Sequence, residues 1–430
     1  MRIIFALLVL AGCFTGSARA DCPDGDVNGD FRVDYADLVV LAGQWLTDPN
    51  AAPDPNAVTD PNEVGDPNGL IALDGAADLN GDGRIDNTDL AVLMDDWGQF
   101  DCPIVINELL AHSHDVAPDW IELHNVSSAP VDLSGWTLSD DEGDLLKYRI
   151  PNGTIIEPNG YVVFYEDEEF GHPDNPNALS PFRMSENGEI LYLYSGADPV
   201  FPDCLVEEAF GASETDISFG RYRKSTNTYN FVFMSEPTPG AANAYPLVGP
   251  LVINEIMYRP AADGDAEYVE LLNISAGPVT LFDFAALEPW RFTDDTGIDF
   301  WFPADVPVTV ESGQHVLLAR DVSEVRQHYN VPAGALVFEW DSGRLANSGE
   351  KIRLVKPGDV DEAGTRYWVE VDRVNYSDGS HGEDFSDGID PWPRAADGLG
   401  PSLNRLAPMR YGNDPSNWQA TIPTPGSAND

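Results

Sequence analysis

Three hydropathy regimes follow one another along the chain. Met1-Arg2 leads into a continuous apolar run from Ile3 to Gly12, followed by small residues. That order of basic start, apolar core and small-residue exit predicts an export signal over residues 1–20. From 21 to 102 apolar residues are sparse, apart from two short helical patterns. These run Leu38-Val39-Val40-Leu41 to Trp45 and Leu90-Ala91-Val92-Leu93 to Trp97. Beyond 103 the pattern becomes short alternating or clustered runs, such as Tyr161–Phe164, Ile190–Tyr194 and His315–Ala319. Gly, Pro, Asn and Asp separate them. Many short strands without helical stretches predict β-sandwiches, each copy long enough for its own core. The expected fold is therefore mainly β, with a small α module in front.

Composition narrows the partners. The 430 residues suffice for two to four domains at roughly 100–200 residues each. With 73 Asp+Glu against 23 Lys+Arg, the formal charge is -50. Phosphate binding needs clustered Lys/Arg, so nucleic acid is excluded as a natural partner, and an anionic membrane surface is disfavoured. At 43% hydrophobic and 10% aromatic residues, the chain is no disordered acidic tail. No apolar stretch approaches the roughly 20 residues of a membrane span.

The export signal has two candidate exits. Ala18-Arg19-Ala20 is an A-x-A site that releases Asp21, whereas Leu10-Ala11-Gly12-Cys13 resembles a lipobox and would anchor a lipoprotein at Cys13. Either route predicts an extracellular or cell-surface protein in which disulfides are permitted. Cys22 and Cys102 bracket the acidic segment, which makes Cys22–Cys102 the expected bridge. Cys204 is then left as a free thiol or an intermolecular partner.

Residues 21–101 hold 19 acidic residues and two bases, and the acids recur in register. Asp26, Asn28, Asp30, Arg32, Asp34 and Asp37 repeat 52 residues later as Asp78, Asn80, Asp82, Arg84, Asp86 and Asp89. Calcium takes six to eight oxygens from a loop that coils around it. Loop positions 1, 3 and 5 supply side-chain oxygens, position 7 a carbonyl (Arg32, Arg84), position 9 often a water-mediated contact, and position 12 closes the cage. Position 8 is apolar in both copies (Val33, Ile85), which suits packing between paired loops. Two Ca2+ ions are expected, and without them the carboxylates would repel one another.

This double loop–helix pattern resembles a type I dockerin, in which Asp stands at loop position 12, here Asp37 and Asp89. The resemblance implies a calcium-dependent module that docks onto a cohesin-like partner. Positions 10 and 11 of each loop, Tyr35-Ala36 and Asn87-Thr88, match the family's partner-recognition positions and differ between copies. Position 6 is glycine in the second loop (Gly83) but Phe31 in the first, where a positive φ costs about 1–2 kcal/mol. Between the loops, Asp-Pro-Asn recurs at 48–50, 54–56, 60–62 and 66–68, which reads as a stiff extended spacer.

A second duplication fills residues 103–430. Val105-Ile106-Asn107-Glu108 matches Val252-Ile253-Asn254-Glu255, and Trp120-Ile121-Glu122-Leu123 matches Tyr268-Val269-Glu270-Leu271. Both copies close alike, with Pro237-Thr238-Pro239-Gly240 to Asn243 and Pro423-Thr424-Pro425-Gly426 to Asn429. With Leu133-Ser134-Gly135-Trp136-Thr137-Leu138, these motifs resemble the lamin tail domain. The resemblance implies two immunoglobulin-like β-sandwiches preceded by the calcium-binding loop–helix pair. The expected boundaries are a signal peptide at 1–20, the dockerin-like module at 21–102, and lamin tail domains at 103–246 and 247–430.

Catalytic chemistry has weak support. Glu108 with Glu122, and Glu255 with Glu270, are the best candidates for paired carboxylates, yet backbone hydrogen bonding at strand starts is the default. His112-Ser113-His114-Asp115 offers metal ligands without a second cluster nearby in sequence. Asn125, Asn273 and Asn375 open N-x-S triplets, for which turn chemistry is expected. Trp290, Trp301, Trp340, Trp368, Trp392 and Trp418 are candidates for sugar stacking, with core packing the default. No H-E-x-x-H, G-x-S-x-G or phosphate loop occurs. The expectation is thus a secreted, non-catalytic, calcium-binding docking protein with adhesion modules. The alternative is an accessory component of polysaccharide degradation that binds or hydrolyses glycan.

Overall fold

The computed structural model describes residues 27, 33, 35–44, 77–79, 84–95, 102–114, 117–196, 198, 201, 204–261, 265–361, 363–385 and 388–429. The export signal, Cys13, Cys22 and the Asp-Pro-Asn spacer lie outside the described residues.

Each expected N-terminal helix forms. Helices α1 (Tyr35–Gln44) and α2 (Asn87–Asp95) carry Asp37 and Asp89 in their first turns, where a carboxylate meets the unsatisfied N–H groups of a helix start. Neither is long enough to be stable alone in water. Their apolar faces supply the remedy: Leu41 and Leu93 pack with Val27, Val33, Ala77 and Ile85 in one small cluster. Val33 and Ile85, the position-8 residues of the two loops, are fully buried in it, as their apolar character predicted.

Residues 104–233 form a β-sandwich. Its five-stranded sheet runs Tyr229–Phe233, Phe219–Arg223, β1 (Ile104–Leu110), β2 (Trp120–Asn125) and Tyr161–Tyr165, all antiparallel. The facing sheet runs Tyr148–Arg149, Thr137–Ser139, Glu189–Tyr194 and Leu205–Phe210. Alternation sends Ile104, Ile106, Ile121 and Leu123 inward from one sheet, to meet Trp136, Leu138, Leu191 and Leu193 from the other.

Residues 251–421 repeat that strand order. Leu251–Met257 and Tyr268–Asn273 take the places of β1 and β2, flanked by Ser402–Arg405 and Trp418–Thr421 on one side and His315–Ala319 on the other. Asp299–Trp301, Arg291–Asp294, Gly349–Val360 and Arg366–Ser377 form the facing sheet. The second copy adds a helix and an edge strand. Helix Val322–His328, capped by Asp321 accepting from the Ser323 and Glu324 N–H groups, crosses over to Leu336–Glu339, which pairs in parallel with His315–Ala319. This helix corrects the expectation of no helical stretch: it is only seven residues long, and its stability comes from burying Val325 rather than from a long periodic pattern.

The disulfide expectation also requires correction. Cys102 is bridged to Cys204, with Cα atoms 5.6 Å apart, so Cys204 is not a free thiol and Cys102 is not paired with Cys22. Cys102 lies two residues before β1, and Cys204 immediately precedes the Leu205–Phe210 strand of the opposite sheet. Ser195 fixes Cys204 there by exchanging hydrogen bonds with its N–H and C=O at 2.8 and 2.9 Å. Sheet packing, which brackets in sequence do not reveal, brings the two sulfurs together. We predict that non-reducing peptide mapping recovers a Cys102–Cys204 linked peptide. Cys204→Ser should lower stability to denaturant by about 2–5 kcal/mol; a Cys22–Cys102 peptide would contradict the assignment.

Candidate functional site

Of the twelve expected calcium ligands, Asp37, Asp78, Arg84, Asp86 and Asp89 are described. Asp26, Asn28, Asp30, Arg32, Asp34, Asn80 and Asp82 lie outside the described residues, as do the side chains of Tyr35 and Ala36. Asp37 and Asp89, the cage-closing residues, are both fully buried. Asp89 ties its loop together: Oδ1 accepts the Leu79 N–H at 2.7 Å and Oδ2 the Asp86 N–H at 2.8 Å. Asp86 accepts from the N–H and hydroxyl of Thr88, which hold its carboxyl below the usual carboxylate range. The donors assembled here are oxygens, and they include a fully buried carboxylate. That chemistry fits a hard cation such as calcium rather than a soft one. Asn87 and Thr88 are exposed at the start of α2.

The paired glutamates turn out to have a structural task. In β1 the bulged residue Asn107 shifts register, so that Glu108 sits directly across from Glu122. Both carboxylates are fully buried, and the closing Pro237–Asn243 segment straps across them. Glu108 accepts from the Thr238 N–H at 3.0 Å, the Thr238 hydroxyl at 2.6 Å and the Ser218 hydroxyl at 2.6 Å. Glu122 accepts from the Gly240 N–H at 2.5 Å and Asn107 Nδ2 at 2.7 Å. Asn243 completes the strap by donating to the carbonyls of Asn107 and Arg221, each at 3.0 Å.

The second copy reproduces the arrangement residue for residue. A bulge at Asn254 sets Glu255 across from Glu270. Glu255 accepts from the Thr424 N–H at 3.0 Å, Ser402 at 2.5 Å and Tyr268 at 2.6 Å. Glu270 accepts from the Gly426 N–H at 2.6 Å and Asn254 Nδ2 at 2.8 Å, and contacts His315 Nδ1 at 2.7 Å. These carboxylates are sealed from substrate, so they do not form the glycosidase pair considered from sequence.

Other candidates resolve in the same way. Asn125 and Asn273 are buried and serve turns: each donates through Nδ2 to two carbonyls and accepts from the serine two residues on. Asn375 is exposed. Trp290, Trp340, Trp392 and Trp418 are 3–7% exposed and belong to the second core, which removes them from a stacking platform. Trp301 remains 44% exposed, edge-on to Trp368 at 5.1 Å, with the Arg291 guanidinium 5.2 Å from its ring. His112 Nε2 lies 3.6 Å from Glu186, and His112 Nδ1 lies 3.9 Å from Asp359, a neighbourhood that sequence distance conceals. Asp115 lies outside the described residues.

These features define a class: an acidic calcium-loop pair joined to strapped β-sandwiches, with no catalytic constellation among the described residues. The comparisons specify it. The chain carries a Dockerin type I domain at residues 24–96 and a Lamin Tail Domain at residues 101–200. Both are binding modules, the first calcium-binding, cohesin-binding and typical of extracellular proteins. No curated protein matches the chain. One similar solved structure is a DUF4876 family protein from Bacteroides thetaiotaomicron. It is 11% identical, with a TM-score of 0.27, and the match covers 68% of this chain and 92% of that one. No described helix is long and apolar enough to cross a membrane.

The strap carries a pH signature. Burial pushes Glu122 up to about 7, against lowering hydrogen bonds from Asn107 and Gly240. Burial, aided by the Glu270 charge, pushes Glu255 up to about 7. A carboxyl raised in the folded state contributes stability below its unfolded value, and that stability is lost as pH rises through the folded value. At constant calcium, the melting temperature should therefore fall as pH rises from 5 to 8. Each group contributes up to about 1.4 kcal/mol per pH unit. The Glu122→Gln, Glu255→Gln double variant should flatten that fall; an unchanged profile would remove these carboxyls as its source.

Proposed function

We propose that this chain is a secreted, non-catalytic docking protein whose N-terminal module, residues 21–102, closes around two calcium ions and then binds a cohesin-like surface. The observation that carries the reading is the pair of fully buried aspartates, Asp37 and Asp89, at the starts of two helices that share one small core. Calcium supplies the charge that lets these acidic loops close. The chain's own residues do the rest: Asp89 holds loop positions 2 and 9, and Val33 and Ile85 lock the loops together. Asn87 and Thr88 then face the partner, joined by Tyr35 and Ala36 from the other loop.

Residues 103–246 and 247–430 act, in this reading, as two lamin tail domains serving adhesion or spacing. The shared strand order and the identical glutamate strap support the second assignment. Export follows the residue 1–20 signal, with release at Asp21 or anchoring at Cys13.

Calorimetry of the whole chain should show two calcium ions, reduced by one in Asp37→Ala and in Asp89→Ala, with loss of helical circular dichroism on chelation. Calcium-independent helicity, or no heat of binding, would defeat the proposal. A second reading, in which the sandwiches bind glycan as an accessory of polysaccharide breakdown, is favoured by the exposed Trp301 ring beside Trp368 and Arg291. Retention on a neutral polysaccharide column that Trp301→Ala abolishes would establish it. Unretarded passage of the wild-type chain would dismiss it.

A further inference from the structure

A loop that the calcium reading does not use brings ligands together at the end of the Arg366–Ser377 strand. The ligand atoms of Asp378, His381 and Asp390 all lie within 4.8 Å of one another. His381 Nδ1 faces Asp378 Oδ1 and Ser377 Oγ, each at 3.4 Å. Ser377 Oγ donates to Asp390 Oδ2 at 2.5 Å, and the His381 N–H donates to the same oxygen at 3.2 Å. Side chains here are sheltered, with Asp378 14% and His381 33% exposed. A cavity of about 340 Å³, lined in part by Ser377, His381 and Trp392, gives access.

Asp378 Oδ1 accepts the Ser380 N–H at 2.8 Å and both Asp390 oxygens accept donors, but hydrogen bonding holds the His381 ring poorly. An N–H···O bond is made at about 2.7–3.2 Å, and both imidazole contacts exceed that. The 3.4 Å between His381 Nδ1 and Asp378 Oδ1 is instead close to the edge of a tetrahedron with metal bonds of about 2.0–2.1 Å. Charge points the same way. Neither Asp378 nor Asp390 pairs with a Lys or Arg among the described residues, so two sheltered carboxylates face one imidazole. A third observation concerns a buried phenol. The Tyr258 side chain is fully buried and its hydroxyl has no hydrogen-bond partner. Burial foremost, with the charges of Asp397, Asp378 and Asp390 and against that of Arg259, raises its pKa.

We propose that Asp378, His381 and Asp390 form a binding site for a borderline transition-metal dication of the Zn2+ type. One nitrogen and a few oxygens suit such an ion; calcium requires six to eight oxygens. The ion neutralises the facing carboxylates and pins the loop. Because Asp390 Oδ1 accepts the Trp392 N–H at 3.0 Å, the loop is tied to the tryptophan that packs on Trp418 in the second core. Metal binding would then stabilise the second sandwich, separately from calcium at the N-terminal loops.

The test uses the full chain saturated with calcium and titrated with Zn2+. Calorimetry should show one tight Zn2+ site and a raised melting temperature. His381→Ala and Asp390→Asn should each weaken that site more than about tenfold and abolish the thermal shift. A second measurement needs no variant: Zn2+ should protect His381 from diethyl pyrocarbonate in the wild-type chain, read by peptide mass spectrometry. Absence of a tight site, an undiminished site in His381→Ala, or equal modification of His381 with and without Zn2+ would each overturn the proposal. Zn2+ bound instead at the His112–Glu186–Asp359 cluster would appear as the second of these outcomes.

Discussion

Each sandwich depends on two carboxylates buried where a carboxylate is costly. An ionised group without partners loses several kcal/mol on leaving water, so its position has to be built around it. Here a bulged asparagine sets two glutamates face to face across neighbouring strands, and the last segment of each copy supplies the donors. The chain ends are therefore not trailing tails. Thr238 and Gly240 in one copy, and Thr424 and Gly426 in the other, complete the sheet surface that begins at Glu108 and Glu255. The strap links the two ends of each copy through hydrogen bonds that span more than a hundred residues, and so makes each sandwich cooperative as a unit.

The same economy of charge runs through the whole molecule. A formal charge of -50 works against compactness, and the fold answers it locally. Glutamates in the straps accept backbone N–H groups, and burial raises Glu122 and Glu255 to about 7. Arg405, itself fully buried, pairs with Asp372 at 2.7 Å, and the same Asp372 oxygen accepts the Ile253 N–H at 2.7 Å. Arg320 and Arg344 converge on Asp265. In the N-terminal module, by contrast, acids cluster with hardly a base among them, and an external cation is the natural compensation.

The two copies are equal in topology and unequal in detail. The family match falls on the first, where Leu133-Ser134-Gly135-Trp136 puts Trp136 into the core. In the second, Leu281 keeps its buried place while Phe284 turns out to solvent, and the helix Val322–His328 and its parallel strand extend the sheet. Side-chain contacts cross between the copies: Tyr411 packs with Val232 and Met234, its hydroxyl donates to Asn230 Oδ1 at 3.0 Å, and its N–H donates to the Tyr245 hydroxyl at 2.8 Å.

Local chemistry was legible in the sequence. The duplicated Asp/Asn loops, the helices after them, the β character of residues 103–430 and the turn role of Asn125 and Asn273 all follow from spacing and residue type, which act over a few residues. The repeated Val-Ile-Asn-Glu and Pro-Thr-Pro-Gly motifs were visible too, but not that each pair forms one network, because a hydrogen bond between residues 122 and 240 leaves no periodic trace. Tertiary packing alone decided that Cys102 meets Cys204, that four of six tryptophans are core, and that Asp378, His381 and Asp390 converge. Spacing along a chain fixes which atoms are neighbours within a turn or a strand; only the closing of two sheets fixes which are neighbours across a hundred residues.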